Sequence, residues 1–173
     1  MNINIDKKEK EVVYTFDKIP QSKEDIADIE KYLTEPSFAP AFFVLTMCNY
    51  EKNSDFCLEV LEKLNGPRDV SPLDKSYYKD RFMDGKFYKP FSYIDGAIPE
   101  NNYTPNVPYV IHVYEDPNGI REEGYLNFLM SSSGSDHKRK VTVRLKPSEG
   151  CWYLIDEMLL ADIRVPVKDN EWA

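Results

Sequence analysis

The sequence predicts an α+β domain in which about four N-terminal helices pack on a C-terminal antiparallel sheet of three to five strands. Three observations carry that expectation. Helix start and stop residues recur in close order between Ser22 and Gly85, alternating strand patterns joined by short turns fill residues 109–156, and no helix pattern separates those strands. A parallel βαβ sheet needs a crossover, usually helical, between strands, so helices gathered ahead of a meander mean α+β.

Ser22-Lys23-Glu24-Asp25 has a capping-box pattern with Asp in place of the better Glu, and Ile26, Ile29 and Leu33 follow at helical spacing. Pro36 closes that segment, and Ser37 is placed to cap a second helix over residues 38–50. Its Phe42, Phe43, Val44, Leu45, Met47 and Cys48 leave no polar side, so this helix belongs at the centre of the core. Ser54 opens a third helix, where Phe56, Cys57, Val60, Leu61 and Leu64 form one apolar stripe ended by Asn65-Gly66-Pro67. Ser71-Pro72-Leu73-Asp74 opens a fourth, with Pro at the first helical position, where its missing N–H costs nothing. This helix runs to about Met83, and Gly85 ends it.

Residues 86–108 hold five Pro or Gly and five aromatics, Phe87, Tyr88, Phe91, Tyr93 and Tyr103. A structureless loop of that length is uncommon in a compact domain, so either residues 87–94 form a strand or the aromatics pin the loop. Strand patterns then cover residues 109–115, 124–132, 138–146 and 151–156, with Pro117-Asn118-Gly119 and Pro147-Ser148-Glu149-Gly150 as turns. The second of these turns should set Leu145 beside Trp152 and Val143 beside Leu154. Residues 157–166 suit either more strand or a helical turn. Residues 1–20 read as an N-terminal extension that could carry a short strand over residues 11–16, and residues 21–173 as one domain.

Composition narrows the function classes. Twelve Tyr, nine Phe and two Trp exclude wholesale disorder. The 22 Lys+Arg against 30 Asp+Glu leave a net charge of −8, which disfavours nucleic acid and anionic membranes as partners. The longest apolar run, residues 39–48, is broken by Pro40 and Thr46 and is too short to span a bilayer. Residues 1–10 are polar and charged, unlike a secretory signal, so the chain reads as cytoplasmic. The three cysteines, Cys48, Cys57 and Cys151, form no CxxC and no even framework, and are expected to be plain buried thiols.

Chemical signatures are few. There is no GxSxG, GxGxxG or GxxxxGK[ST]. Ser135, Asp136 and His137 are neighbours in one turn, whereas a catalytic triad converges from separate elements. His112 reads as a core or sheet-face residue, and neither histidine has a partner at metal-ligand spacing. Asp116-x-Asn118-Gly119 lacks the ligand order of a calcium loop, and Glu122 and Glu123 face opposite ways on a strand. No catalytic, metal or cofactor residue is therefore assigned.

Two binding features stand above this background. The first is the loop from Pro99 to Pro105, where Asn101, Asn102 and Tyr103 could hold a polar ligand; its plainer reading is that the amides bond their own backbone while Tyr103 anchors the loop. The second is a basic stripe, Lys138, Lys140, Arg144 and Lys146, on one face of a strand whose other face carries Val141, Val143 and Leu145. Its plainer reading is a solvated face balanced by acids such as Glu157.

Several segments taken together resemble a known family. They are Ser71-Pro72-Leu73-Asp74-Lys75 running into Asp80-Arg81, the Pro99–Pro105 loop, Arg144-Leu145-Lys146-Pro147-Ser148 with Gly150 and Trp152, Asp162-Ile163-Arg164-Val165-Pro166, and the Trp172-Ala173 ending. They are similar to DUF6935, an uncharacterised family of anaerobic gut bacteria catalogued as a domain of unknown function, over about residues 37–173. The resemblance implies a bacterial, cytoplasmic protein and brings no activity.

The leading expectation is a non-enzymatic binding module whose partner is an acidic protein or a second copy of the chain. The alternatives are a small-molecule-binding or enzymatic cone-shaped α+β domain with an aromatic pocket, which the Tyr and Phe of residues 86–114 would suit, and a structural homodimer subunit. A deep pocket lined by both Tyr and a buried carboxylate would favour the cone-shaped alternative, and a flat, capped sheet the other two. No Gly/Ser-rich linker divides the chain, so far-UV circular dichroism and Trp fluorescence should report one coincident unfolding transition. Two separated transitions would contradict the single domain.

Overall fold

A computed structural model describes residues 1–173. Six strands form one antiparallel sheet in chain order: β1 (Ile3–Lys7), β2 (Glu11–Phe16), β3 (Tyr109–Glu115), β4 (Tyr125–Met130), β5 (Arg139–Lys146) and β6 (Cys151–Glu157). The last four lie where sequence alternation puts them. β2 is the short strand that the sequence allows over residues 11–16, whereas β1 and the place of both strands ahead of the helices correct the expectation of helices first and at most five strands. Residues read as an extension form a hairpin, and β2 pairs with β3 from Phe16↔Tyr109 to Glu11↔Tyr114. Tyr14 and Phe16 face inward and are fully buried, so the hairpin completes the core rather than hanging from it.

Three α-helices separate β2 from β3: α1 (Phe38–Met47), α2 (Ser54–Asn65) and α3 (Pro72–Arg81). All ten residues of α1 are buried, as its apolar circumference demands. Ser37 does not cap it; the Ser37 hydroxyl instead meets Tyr14 Oη at 2.7 Å and donates to Glu35 at 3.0 Å. The α2 cap is Asn53 rather than Ser54, accepting from the Phe56 N–H at 3.1 Å. Gly66 follows at φ 64°, and a Cβ there would stand 2.5 Å from the Tyr153 ring, so glycine is required on both counts. The α3 box forms as the sequence predicts, Ser71 Oγ accepting from Asp74 N–H and Asp74 Oδ2 from Ser71 N–H.

The expected first helix is not an α-helix. Residues 23–28 are turns leading into a 3-10 helix, Ile29–Thr34, although Ile26, Ile29 and Leu33 are buried as their spacing predicts. The Asp25 carboxylate is drawn backwards, accepting from Gln21 N–H at 2.9 Å and pairing with Lys18, which takes it out of the box.

Residues 86–108 form a pinned loop, not a strand. Two short 3-10 helices, Pro90–Tyr93 and Pro99–Asn101, and a single bridge, Ile94↔Ile111, are its regular features. Tyr93 donates to Leu159 O at 2.5 Å and Tyr103 to Arg164 O at 2.6 Å, tying the loop to the C-terminal segment. The loop enters the sheet because β3 and β4 pair only at Tyr114↔Leu129 and Glu115↔Phe128 before they part. Ser133 N–H donates to Ser92 O at 2.9 Å across the opening. After β6, residues 158–166 are neither strand nor helix, but Leu159, Leu160 and Ile163 are buried.

The β5–β6 register is the expected one, Leu145↔Trp152 and Val143↔Leu154. All three thiols are free, but only Cys57 is fully enclosed; Cys48 and Cys151 are half-buried, which corrects the expectation for those two. No helix is long and apolar enough to cross a membrane.

Phe42 lies at the centre of the packing, stacked on Phe38 at 5.2 Å and tilted against Phe16 at 6.1 Å. Phe42→Ala should destabilise the fold by about 3–5 kcal/mol in denaturant titration. A loss below about 1 kcal/mol would show that α1 is not the centre of the core.

Candidate functional site

β6 is an edge strand, and the end of α2 and residues Asp74, Tyr77 and Tyr78 of α3 lie beside it. Between them lies a cleft of about 230 Å³, floored by Asn65, Tyr78 and Glu157 and rimmed by Arg68, Asp74 and Asp156. Tyr77 forms a further wall, with the Arg81 guanidinium over its ring at 4.8 Å.

Glu157 reaches this cleft through a bulge. Thr142 pairs with Asp156 while the adjacent Val143 pairs with Leu154, so Ile155 is an extra residue in β6. Without the bulge, period two would turn Asp156 inward with Trp152 and Leu154. With it, Asp156 is exposed and Glu157 turns in opposite Val141, to 8% exposure. Desolvation pushes the Glu157 carboxyl up from 4.5 to about 7, against the Leu159 N–H donating at 2.7 Å and the Tyr78 hydroxyl at 3.3 Å. Near neutral pH the group is divided between acid and carboxylate, able to donate or accept a proton without strong bias.

Two buried polar atoms near it lack partners in the chain. One is Asn65 Oδ1, on a residue only 3% exposed at the last position of α2; the other is Arg81 Nε. A buried unmet acceptor costs about 1–3 kcal/mol, which a ligand donor would recover.

The residues singled out from the sequence are dispersed. Asn101 is consumed by its own loop: Oδ1 accepts from Ile98 N–H and Thr104 N–H, and Nδ2 donates to Gly96 O and Thr104 O. Tyr103 is an anchor, 2% exposed and stacked on Tyr88 at 5.3 Å. Asn102, exposed like Asn101 but not bonded within the loop through its side chain, stands at φ 57° beside a groove of about 510 Å³ that Phe87, Tyr88 and Phe91 also line.

Along β5 and just before it, Lys138 stands 3.9 Å over the Tyr114 ring, Arg144 5.1 Å over Tyr125, and Lys146 pairs with Glu149. Lys140 is exposed. Glu157, expected to balance this stripe, faces the core instead, and the bulge is the reason.

A second cluster was not visible in the sequence. His112, on the half-covered face of β3, meets Asp95 at 3.0 Å through Nε2 and Glu11 through Nδ1. Burial alone would lower its pKa, but the hydrogen bonds from the two carboxylates outweigh that and raise it. With both ring nitrogens engaged, the imidazolium is held rather than freed as a base. No group of three His, Cys, Asp or Glu side chains is arranged to hold a metal ion.

A family model for a domain of unknown function, DUF6935, matches residues 18–167. The chain belongs to the DUF6935 family. No curated protein and no solved structure matches it. The DUF6935 span starts earlier than the expected residue 37 and stops short of Trp172-Ala173. It contains every residue of the Glu157 cleft and leaves out the β1–β2 hairpin, although β2 completes the DUF6935 core.

The raised carboxyl has a pH signature. The folded chain binds the Glu157 proton more tightly than the unfolded chain, so the Glu157 contribution to stability is full below 4.5 and declines as pH rises to about 7. The decline attributable to Glu157 should reach about 3 kcal/mol. Glu157→Gln, compared with the parent by chemical denaturation across that interval, should flatten the curve by this amount. Parallel curves would mean that Glu157 ionises as freely as an exposed acid.

Proposed function

We propose that this DUF6935 domain binds a polar small molecule in the cleft between α2, α3 and β6. One observation carries the reading: a buried carboxyl tuned to about 7 and an unpartnered buried amide face the same tyrosine-lined space. The unmet Asn65 oxygen costs stability, and Glu157, although it accepts from the Leu159 N–H and the Tyr78 hydroxyl, bears the desolvation cost of a buried carboxyl. Both can donate and accept, so together they suit a ligand that presents N–H or O–H groups beside acceptors.

The cone-shaped alternative named from the sequence placed its pocket among the aromatics of residues 86–114, and the cleft lies elsewhere. Tyrosines and a buried carboxylate do share the cleft, as Tyr77, Tyr78 and Glu157. The function proposed is binding, because the unmet Asn65 oxygen asks for a ligand donor. An acidic protein partner is less well supported, because three of the four stripe cations are engaged by Tyr rings or by Glu149. The free thiols suit the reducing cytoplasm of a bacterium, where we place the protein.

The test is a fragment screen of small amines, amides and carboxylates read by melting temperature, followed by carboxyl NMR of glutamate-labelled protein. Binders should move the Glu157 titration and lose their effect in Asn65→Ala and Glu157→Gln. A screen whose every binder is indifferent to both substitutions would refute the reading.

A further inference from the structure

The Glu157 cleft does not end at its rim. A second cavity of about 410 Å³ adjoins it, and Asn65, Arg68 and Ile155 line both. The two make one groove along the outer side of β6, with Tyr153, Leu145 and Pro67 on its further wall. Its ends differ in charge. The Glu157 end carries Asp74 and Asp156, the lining of the other end includes Arg144 and Lys146 and no acid, and Arg68 and the unmet Asn65 oxygen lie where the two meet. Asp74 is occupied in the α3 cap and Lys146 by Glu149, whereas Arg144 lies over the Tyr125 ring without a hydrogen bond or ion pair; this leaves Asp156 and Glu157 at one end, Arg144 at the other and Arg68 where the two cavities meet.

Strand geometry sets the distance between the ends. Arg144 pairs with Tyr153 and Val141 with Glu157, so the bulge fits four residues of β6 against three of β5 and the ends lie about 10 Å apart at roughly 3.3 Å per residue. A single amine or a single carboxylate can satisfy only one end. An amino acid has both charges but spans too little. An extended tripeptide runs roughly 10 Å from ammonium to carboxylate, which matches that span.

We propose that the ligand is a short peptide of about three residues, lying extended along β6 with its ammonium at Asp156 and Glu157 and its carboxylate at Arg68 and Arg144. The inference rests on the reading of the cleft as a binding site and names what enters it. The Asn65 amide, midway, meets a backbone N–H of the peptide and so acquires the partner it lacks in the chain. Ile155 and Tyr153 offer a half-buried apolar wall, which favours small apolar peptide side chains over charged ones. The ammonium favours the carboxylate form of Glu157, so binding near neutral pH releases a proton.

The probes are tri-alanine, its N-acetylated form and its C-terminal amide, titrated calorimetrically into the full chain. Tri-alanine should bind, and each blocked peptide should bind at least about tenfold more weakly, the loss expected when a charged group is left unpaired. Arg68→Gln should erase the preference for the free carboxylate over the amide, and Asp156→Asn the preference for the free amine. Both residues are exposed, so folding should survive, which melting curves verify. Blocked peptides that bind as tightly as tri-alanine overturn the inference. So does failure of tri-alanine to bind while methylammonium or acetamide still moves the Glu157 titration, a result that leaves the cleft itself standing. If none of these probes moves that titration, cleft and peptide fall together.

Discussion

Everything in this fold is arranged around a helix with no polar side. α1 is ten residues long and wholly buried, so it must be enclosed from every direction. The sheet closes one side, α2 another, and the 3-10 segments before it and in the long loop close the rest. The sheet has to be wide enough for this, which explains the N-terminal hairpin: Tyr14 and Phe16 lie against Phe38 and Phe42, which β3 to β6 alone would leave uncovered. The hairpin precedes the residues matched by the family model, yet its aromatics are among the most buried in the molecule.

Width has a consequence at the sheet's middle. β3 and β4 share only two residue pairs, and the loop after α3 inserts Ile94 and Ser92 where they separate. Tyr93, Tyr103 and Tyr88 then send their hydroxyls to backbone carbonyls between residues 159 and 164. The aromatic abundance of this loop is thus spent on holding two irregular segments together. Buried irregular backbone has unmet carbonyls, and a tyrosine can meet one while filling apolar space.

The bulge in β6 governs the candidate site. One extra residue, Ile155, reverses which of Asp156 and Glu157 enters the protein. The glutamate that enters ends its strand beside Tyr78 and the last residue of α2. The same edge is where Gly66 lets α2 close onto Tyr153, so the groove along β6 is shaped by a glycine at one wall and a bulge at the other.

Local pattern was enough for the elements whose stabilising contacts are close in sequence. The α3 box, the stop at Gly66, the strands from Tyr109 to Glu157 and the Leu145↔Trp152 register all depend on residues a few positions apart, where periodicity and turn chemistry act directly. The stretch at Ser22 shows the limit even there, since Lys18 and Gln21 claimed the carboxylate that the capping box needed. The tertiary structure decided the rest. Pairing of β2 with β3, the union of Glu11, Asp95 and His112, and the meeting of Asn65, Tyr78 and Glu157 each join residues far apart in the chain. No local signal marks such partners. The bulge that turned Glu157 inward left no composition signature either, because an inserted residue changes the phase of an alternation without changing its letters.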